Sequence, residues 1–139
     1  MNLENNKFYA TGKRKTSIAR VFVKKGSGII TINKIIFDYN QKNNRTINII
    51  KKPIELLYSN LMFDITATVK GGGITGQAEA IRHGLSKILV NIDKELYNGE
   101  NLFKKRLKKF GYITRDSRIV ERKKVGKRKA RKKEQYSKR

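Results

Sequence analysis

The sequence predicts an α+β protein, a small mixed sheet packed with helices and followed by a long, extended, basic C-terminal tail. Residues 17–24 and 61–70 alternate apolar and polar side chains, as strands with one buried face do. Residues 75–92 repeat apolar side chains at spacings of three and four, which is typical of a helix packed on a core. The last 25 residues include 13 Lys or Arg and show no periodicity, so they lack the apolar surface for a core of their own.

Charge is distributed very unevenly along the 139 residues, whose formal net charge is +23. Residues 1–103 carry 16 Lys and Arg against 8 acids, whereas residues 104–139 carry 18 against 3. A positive charge of this size favours nucleic acid or an anionic membrane as the partner. We therefore predict a folded body over residues 1–111 and a tail over residues 112–139 that becomes ordered only on nucleic acid.

Composition excludes several classes of function. The chain contains no Cys, which rules out disulfides, thiol catalysis and Cys-ligated zinc. Its start lacks the basic and apolar runs of a signal or transit peptide, and no window reaches the ~18 apolar residues of a spanning helix. We expect no membrane partner, no cofactor and no small-molecule substrate.

The first strands are predicted in the N-terminal part of the chain. Residues 17–24 form one strand, and residues 28–33 form the next. The short Gly-containing loop between them predicts that these two strands pair as a hairpin. Residues 35–40 are predicted to form a short helical turn.

Helices are predicted on both sides of the strand at residues 61–70. Asn44 suits the N-cap of a helix over residues 45–51, and Pro53 suits the first position of a separate helix. After the strand, one helix covers residues 75–92 and another covers residues 100–109, ending at Gly111. The apolar stripe of the first of these consists of Ala78, Ile81, Leu85, Ile88 and Ile92. The side chains of the second that are aimed at the core are Phe103, Leu107 and Phe110.

The segment between strand and helix contains Gly71, Gly73 and Gly76 in the G-x-G-x-x-G pattern of a dinucleotide-binding turn. That fold also needs a second parallel strand, ending in an acid, after the helix. Residues 94–109 are polar and basic with helical spacing, so we reject a nucleotide cofactor. Two interpretations remain: a tight turn alone, or a helix N-terminus whose amides bind nucleic-acid phosphates. The second interpretation makes Lys70, Gly71, Gly72, Gly73 and Gln77 nucleic-acid contacts.

Two further basic clusters are candidate nucleic-acid contacts. The first, Lys13, Arg14 and Lys15, precedes a strand and follows two aromatic residues, and its spacing does not fit a Walker loop. The second consists of Arg82, His83 and Lys87. His83 lies opposite the apolar stripe, so we expect it on the surface rather than in the core. No second His, Cys or carboxylate pair accompanies it for metal binding or acid–base catalysis.

The tail carries ten net positive charges over residues 115–139, which keep it extended in water. At ~3.3 Å per residue it reaches roughly 80 Å. Lys and Arg outnumber Asn and Gln, which favours phosphate contacts over base readout and predicts salt-sensitive binding. The alternative is an inert, solubilising tail. If the tail binds nucleic acid, its candidate contacts are Arg115, Arg118, Arg122, Lys123, Lys124, Lys127, Arg128, Lys129, Arg131, Lys132 and Lys133.

Three stretches of the sequence resemble one known family. They are YATGKRKTSIARVFVKKGSG at residues 9–28, KGGGITGQAEAIRHGLSKIL at residues 70–89, and RDSRIVERKKVGKRKARKKEQYSKR at residues 115–139. Their order and spacing are similar to those of the ninth protein of the small ribosomal subunit, in its bacterial and organellar form. The resemblance covers nearly the whole chain.

The resemblance implies a fold, a location and partners. It implies a left-handed βαβ crossover, whereas physics alone predicts a right-handed one. It implies a non-enzymatic protein of the small subunit, in a bacterial cytoplasm or an organelle stroma. Its partners would be small-subunit rRNA in the head, within the 3′ major domain, neighbouring head proteins, and peptidyl-site tRNA. By resemblance, the tRNA contacts are Ser137, Lys138 and Arg139.

Two departures from the family pattern and two rival functions accompany this interpretation. Ala10 stands where the family usually has Gly, and residues 32–40 are one residue shorter and lack the usual turn Gly. The first rival is a free nucleic-acid-packaging protein that uses charge without a specific site. The second, less supported, is a nucleotide-dependent enzyme.

Overall fold

The computed structural model describes residues 7–38, 44–57, 63–96 and 101–138, and within them it contains five strands and three helices. This content confirms the predicted α+β class. The strands are β1 (Phe8–Arg14), β2 (Ser17–Lys25), β3 (Ile29–Ile32), β4 (Ile35–Asp38) and β5 (Phe63–Lys70). The helices are α1 (Arg45–Leu57), α2 (Ile74–Leu96) and α3 (Leu102–Lys109).

The strands form one mixed sheet in the order β1-β2-β5-β3-β4. β2 lies antiparallel to both β1 and β5, while β3 lies parallel to β5 and antiparallel to β4. The predicted hairpin between β2 and β3 is therefore wrong, because β5 lies between them. The central position suits β5, since it alternates buried and exposed side chains along its length and pairs with a strand on each edge.

The loop between β2 and β3 crosses the start of β5, where the Asp64 carboxylate holds it. Asp64 Oδ1 accepts hydrogen bonds from the backbone amides of Ser27, Gly28 and Ile29 at 2.9, 3.1 and 3.1 Å. Lys24 Nζ lies 3.5 Å from Asp64 Oδ2. Burial raises the pKa of Asp64, but these hydrogen bonds and Lys24 outweigh it, so the pKa falls below its ordinary value.

The stretch after β3 forms a strand where a helical turn was predicted, so that prediction is wrong for Ile35–Asp38. Asn33 and Lys34 have left-handed φ angles of 47° and 71°, which build a tight turn without glycine. The Asn33 side chain also pairs with the Val69 backbone, accepting from its N–H at 2.8 Å and donating to its C=O at 3.2 Å. The turn reverses the chain, so that the backbone of β4 forms its hydrogen bonds with β3.

Helix α1 begins as predicted and continues further than predicted. Asn44 Oδ1 accepts hydrogen bonds from the Thr46 and Ile47 amides at 3.0 and 3.5 Å, which confirms the N-cap. Pro53 lies inside the helix, so a separate helix beginning there is wrong. The chain stays in one helix because its apolar residues form a single buried stripe that continues past Pro53. The proline removes only one backbone hydrogen bond of the helix. That stripe consists of Ile47, Ile50, Ile54 and Leu57.

Helix α2 lies against one face of the sheet, α1 packs against α2, and the core lies between the helices and the sheet. Every second residue of β2 from Ser17 to Val23, and of β5 from Phe63 to Val69, is buried. The predicted apolar stripe of α2 is buried as well, and the helix extends past residue 92 to Leu96. The opposite face of the sheet, with Arg20, Phe22, Thr66 and Thr68, is exposed.

β1 and α2 approach each other closely at two glycines. A Cβ atom on Gly12 would lie 1.9 Å from the Ala80 carbonyl oxygen and 2.5 Å from the Gly84 amide nitrogen. A Cβ atom on Gly84 would lie 2.7 Å from Val21 Cγ2. Backbone atoms cannot yield as a side chain does, so this helix packs on this strand only without side chains at the contact.

Helix α3 is confirmed, but one of its predicted core contacts is not. Leu107 is buried and Phe103 partly buried, whereas Phe110 is 55% exposed, so its predicted core position is wrong. The chain turns away at Gly111, which has φ 71° and donates to the Lys108 carbonyl. The Tyr112 amide donates to the Leu107 carbonyl, completing a Schellman motif at the predicted glycine.

The resemblance implied a βαβ crossover, and β3 and β5 are parallel neighbours joined through β4 and α1. The hand of this crossover stays a prediction. Residues 110–138 contain no helix or strand, although Tyr112 and Ile113 pack against the core. The predicted division at residue 111, with a tail ordered only on RNA, also stays a prediction.

Candidate nucleic-acid interface

The glycine turn joins β5 to α2, as the sequence predicts. Gly71 and Gly72 have left-handed φ angles of 75° and 67°, and the Gly73 carbonyl accepts the first hydrogen bond of α2, from the Gln77 amide. The Gly71 carbonyl accepts from Ser17 Oγ at 3.0 Å and from Gln77 Nε2 at 3.2 Å. The turn is therefore fixed from β2 and from α2, while Gly71, Gly72 and Gly73 are exposed.

The surroundings of this turn differ from those of a dinucleotide-binding fold. The described residues after α2 contain α3 but no strand, whereas that fold needs a parallel strand there. The parallel neighbour of β5 is β3, which precedes it in the chain. The turn keeps the general property of a helix N-terminus, whose first amides lack partners within the helix.

The β1–β2 turn lies beside the glycine turn. A Cβ atom on Gly71 would come within 2.7 Å of the Thr16 carbonyl oxygen, so the two turns are in backbone contact. Lys13, Lys15 and Lys70 are exposed around them. The structure thus brings Lys70 next to Lys13 and Lys15, which precede it by more than fifty residues in the sequence.

Arg14, the middle residue of the first cluster, is bound within the protein. Its Nε donates to Glu79 Oε2 at 2.7 Å, and its Nη2 lies 3.1 Å from Asp116 Oδ2. Its Nη1 donates to the Arg118 carbonyl at 2.8 Å. Arg14 therefore links β1, α2 and the chain after α3.

Asp116 is held by two arginines. The Arg118 side chain donates to both of its oxygens, at 3.1 Å and 2.8 Å for the shortest contact with each. These hydrogen bonds, together with Arg14, keep the pKa of Asp116 well below its ordinary range. We call Tyr112, Ile113 and Asp116, which fasten the chain after α3 to the body, the tail root.

His83 is buried, with only 8% of its surface exposed, so its predicted surface position is wrong. Its Nδ1 accepts from the Lys13 amide at 3.2 Å, and its Nε2 lies 3.1 Å from the Ile113 carbonyl oxygen. These partners require a neutral ring that donates through Nε2. Burial, and then the charge of Lys87, lower the pKa of His83. The tail root and β1 cover this face of α2. The spacing of residues along the helix cannot reveal this cover, because it comes from other parts of the chain.

The other residues of this cluster lie around the histidine. The Arg82 guanidinium lies 4.8 Å from the centre of the Tyr112 ring, a cation–π contact. Lys87 Nζ donates to the Thr11 carbonyl at 3.2 Å. Arg115 is exposed next to them, so Arg82, Lys87 and Arg115 form a basic rim around the tail root.

The tail presents its cations to solvent, and few have partners. Glu121 pairs with Lys124 Nζ at 2.8 Å and Arg131 Nε at 2.9 Å, and these hydrogen bonds lower the pKa of Glu121. Within the described part of the chain, seven other cations of residues 119–134 form no ion pair. They are Arg122, Lys123, Lys127, Arg128, Lys129, Lys132 and Lys133.

At the end of the chain, the Ser137 carbonyl accepts a hydrogen bond from Gln135 Nε2 at 2.9 Å, and Lys138 is exposed. Arg139 lies outside the described residues. None of these contacts brings the predicted tRNA-binding residues to the body.

Sequence reasoning missed three residues that organise this surface: Glu79, Tyr112 and Asp116. A usable indication existed for two of them. Asp116 is one of only three acids in residues 104–139, and an isolated acid in a basic segment commonly has a cationic partner. Glu79 precedes His83 by one helical turn, on the face that proved to be covered.

Neither a metal site nor a membrane-spanning helix is found among the described residues. No group of three or more His, Cys, Asp and Glu there is placed to hold a metal ion. Likewise, none of the helices in those ranges has the length and apolar character needed to cross a membrane.

An α+β body with adjoining basic turns and a densely cationic extension defines the class of basic nucleic-acid-binding proteins. Over residues 12–139 the chain matches the family model described as Ribosomal protein S9/S16, and it therefore belongs to this family. The resemblance noted in the sequence is confirmed. The family is one of structural, non-enzymatic ribosomal constituents that bind rRNA. Its members reside in the ribosome, with rRNA and other ribosomal proteins as partners.

Proposed function

We propose that this protein is a non-enzymatic constituent of the small-subunit head, where it binds the 3′ major domain of the small-subunit rRNA. Family membership supports the ribosomal role. The observation that carries the proposal further is the set of seven cations in residues 119–134 that form no ion pair, six of them exposed and Lys127 half-buried. Cations that repel one another gain most from crowded phosphates, so the tail neutralises rRNA where strands approach closely.

The body supplies a second set of phosphate contacts. The glycine turn offers the first amides of α2, and Lys13, Lys15 and Lys70 lie around it. Arg14, Gln77 and His83 act within the protein, because their side chains are engaged by Glu79, Gly71 and Ile113. Their contribution to rRNA binding is to hold the turns and the tail root in place.

The end of the tail reaches the peptidyl-tRNA site in this proposal. Ser137, Lys138 and Arg139 contact the anticodon stem-loop, and neighbouring head proteins pack beside the body. A length of roughly 80 Å for residues 115–139 supports this, since it far exceeds the ~13 Å radius of gyration of a ~100-residue domain. The location is the small subunit in a bacterial cytoplasm or an organelle stroma.

Sedimentation tests the proposal. We expect tagged protein to co-migrate with small subunits in a sucrose gradient at high magnesium, in a one-to-one ratio. A free packaging protein would spread across the gradient without fixed stoichiometry, and co-migration with large subunits would also contradict the proposal. Saturable nucleotide binding that survives Gly73→Val would instead favour the enzyme alternative.

A further inference from the structure

The sheet face that turns away from the helices carries an exposed aromatic pair. Tyr9 of β1 lies directly opposite Phe22 of β2, and Phe22 lies opposite Thr66 of the central strand. The two ring centres are 5.0 Å apart with planes tilted by 34°. Tyr9 is 50% exposed and Phe22 39% exposed, so two large rings are presented together on an otherwise open sheet.

Polar and cationic side chains surround this pair. On the same face of β2, Arg20 lies two residues before Phe22, between Thr11 of β1 and Thr68 of β5, and Lys24 lies two residues after it. Both are exposed, as is Lys70 at the end of β5. The surface therefore combines π faces with a positive rim.

The acid beside Lys24, Asp64, contributes little opposing charge. Asp64 lies opposite Lys24, and Lys24 Nζ is 3.5 Å from its Oδ2. Its other oxygen accepts three backbone hydrogen bonds from the β2–β3 loop, among them those from Ser27 and Gly28. Since this carboxylate is engaged within the protein, the rim remains complementary to a polyanion.

We infer that this sheet face is a base-stacking site for unpaired nucleotides of rRNA, with Tyr9 and Phe22 as the platform and Arg20 and Lys24 on the flanking phosphates. A duplex hides its base faces, so the ligand is a single-stranded segment, loop or bulge. Aromatic rings accept any base because every base has a π face, and Arg adds cation–π contact. The inference rests on the proposed function only in taking rRNA as the partner.

Fluorescence tests the platform directly. The chain contains no Trp, so Phe22→Trp introduces a unique probe at its centre. The ligands are a single-stranded oligoadenylate and an abasic phosphodiester of the same length and charge. We expect the oligoadenylate to quench the indole emission and the abasic strand, at equal saturation, to leave it unchanged. Equal emission with the two ligands would overturn the inference.

Binding affinity provides a second measurement, with a variant that removes both rings but keeps an apolar side chain at positions 9 and 22. In the double variant Tyr9→Leu/Phe22→Leu, we expect oligoadenylate to bind at least about fivefold more weakly, with abasic binding unchanged. The matched control is Ile36→Leu, an exposed apolar residue in the same row of the sheet, at β4. It should bind both ligands like the wild type. A double variant with wild-type affinity for oligoadenylate would contradict base stacking.

The same experiments separate failure of this inference from failure of the proposed function. If both strands bind in a salt-sensitive way but the indole emission of the Phe22→Trp variant never responds, only the platform is disproved. If neither strand binds the wild type, rRNA binding itself is in error. In assembled small subunits, a benzophenone side chain at position 22 should crosslink to RNA. Crosslinks to a neighbouring protein alone would assign the face to protein docking and overturn the inference.

Discussion

His83 Nε2 lies 3.1 Å from the Ile113 carbonyl oxygen, so a buried ring on α2 holds the first residues of the tail. On its other side the same ring accepts a hydrogen bond from the Lys13 amide. The histidine thereby joins the edge strand, the long helix and the tail root. An uncharged group among cations thus helps the Arg14–Asp116 pair to fix the direction in which the tail leaves the body.

Acid should weaken this connection. A proton on Nδ1 would face the Lys13 N–H, which removes that hydrogen bond. The folded-state pKa of His83 is below the ordinary 6.5, so between these values the unfolded state binds more protons. The contribution of His83 to stability is complete above about pH 6.5 and is lost as pH falls toward the folded pKa, by at most about 1.4 kcal/mol per pH unit.

Urea unfolding of wild type and His83→Gln, at pH ~7.5 and ~5.5, measures this effect. The wild type should lose more unfolding free energy between the two pH values than the variant does. The depressed pKa values of Asp64 and Asp116 place their effects in more acidic solution, since ordinary carboxyls already titrate near pH ~4. Equal losses in both proteins would contradict the role given to His83.

A methyl group at Gly12 should destabilise the body. Gly12→Ala places Cβ against the Ala80 carbonyl and the Gly84 amide, which are backbone atoms of α2. We expect a loss of about 1–3 kcal/mol in unfolding free energy, because α2 must move off β1. The control is Gly73→Ser, which has open space around its Cβ and a residue type suited to an N-cap. It should be close to neutral, and an equally stable Gly12→Ala variant would disprove the close approach.

Breaking the ion pair of the tail root should free the chain after α3. In Asp116→Asn, the Arg14 guanidinium keeps Glu79 but loses its charged partner at 3.1 Å. Unfolding free energy should change little, since the pair is partly exposed to solvent, which screens it. Backbone 15N relaxation should show faster motion at Thr114 to Arg118. The control Glu121→Gln removes an acid further along the tail and should leave the relaxation of Thr114 to Arg118 unchanged. Unchanged relaxation in Asp116→Asn as well would show that the Arg14–Asp116 pair does not fasten these residues.

The salt dependence of RNA binding should report the unpaired tail cations. Replacing Lys123, Lys127 and Lys129 by Ala should lower the slope of log affinity against log salt by about two for single-stranded RNA, at ~0.7 per phosphate contact. Replacing the same residues by Arg keeps the charge and should keep the slope. A slope unaffected by the Ala replacements would place the phosphate contacts elsewhere.

Removing the last two residues should separate assembly from tRNA holding. Deletion of Lys138 and Arg139 should leave co-sedimentation with small subunits intact and weaken peptidyl-site tRNA binding on the order of tenfold, by loss of two charge-assisted contacts. Filter binding to purified subunits measures it. The exchange Lys138→Arg with Arg139→Lys preserves both charges and should retain affinity. Equal affinity of full-length and truncated subunits would refute the tRNA contact.

The elements that could be predicted from sequence are those whose burial pattern or end signal lies in their own residues. α2 and β5 carry their burial pattern in consecutive residues, and Asn44 and Gly111 mark helix ends by their own side-chain and backbone chemistry. Pairing of β2 with β5 rather than β3 depends on a distant strand, which local alternation cannot indicate. The Asn33–Lys34 turn lacked the glycine that usually marks such a turn, so the short strand β4 was missed.

The candidate site was predictable as a set of residue types but not as an arrangement. Exposed cations and the glycine turn follow from composition and from the strand–turn–helix order. Burial of His83 was not predictable, because the tail root that covers it has no periodicity and comes thirty residues later. The Gly12–Gly84 contact likewise arises from the crossing of β1 and α2.

The loop between β2 and β3 joins two strands that do not touch, because the strand between them is made much later. During synthesis, β2 and β3 emerge with opposite directions and a loop short enough for direct pairing. The position between them stays empty until the chain has been synthesised as far as Lys70, the last residue of β5. Until then the nascent polypeptide keeps strand edges unsatisfied, and this topology makes the newborn protein depend on prompt completion of its central strand.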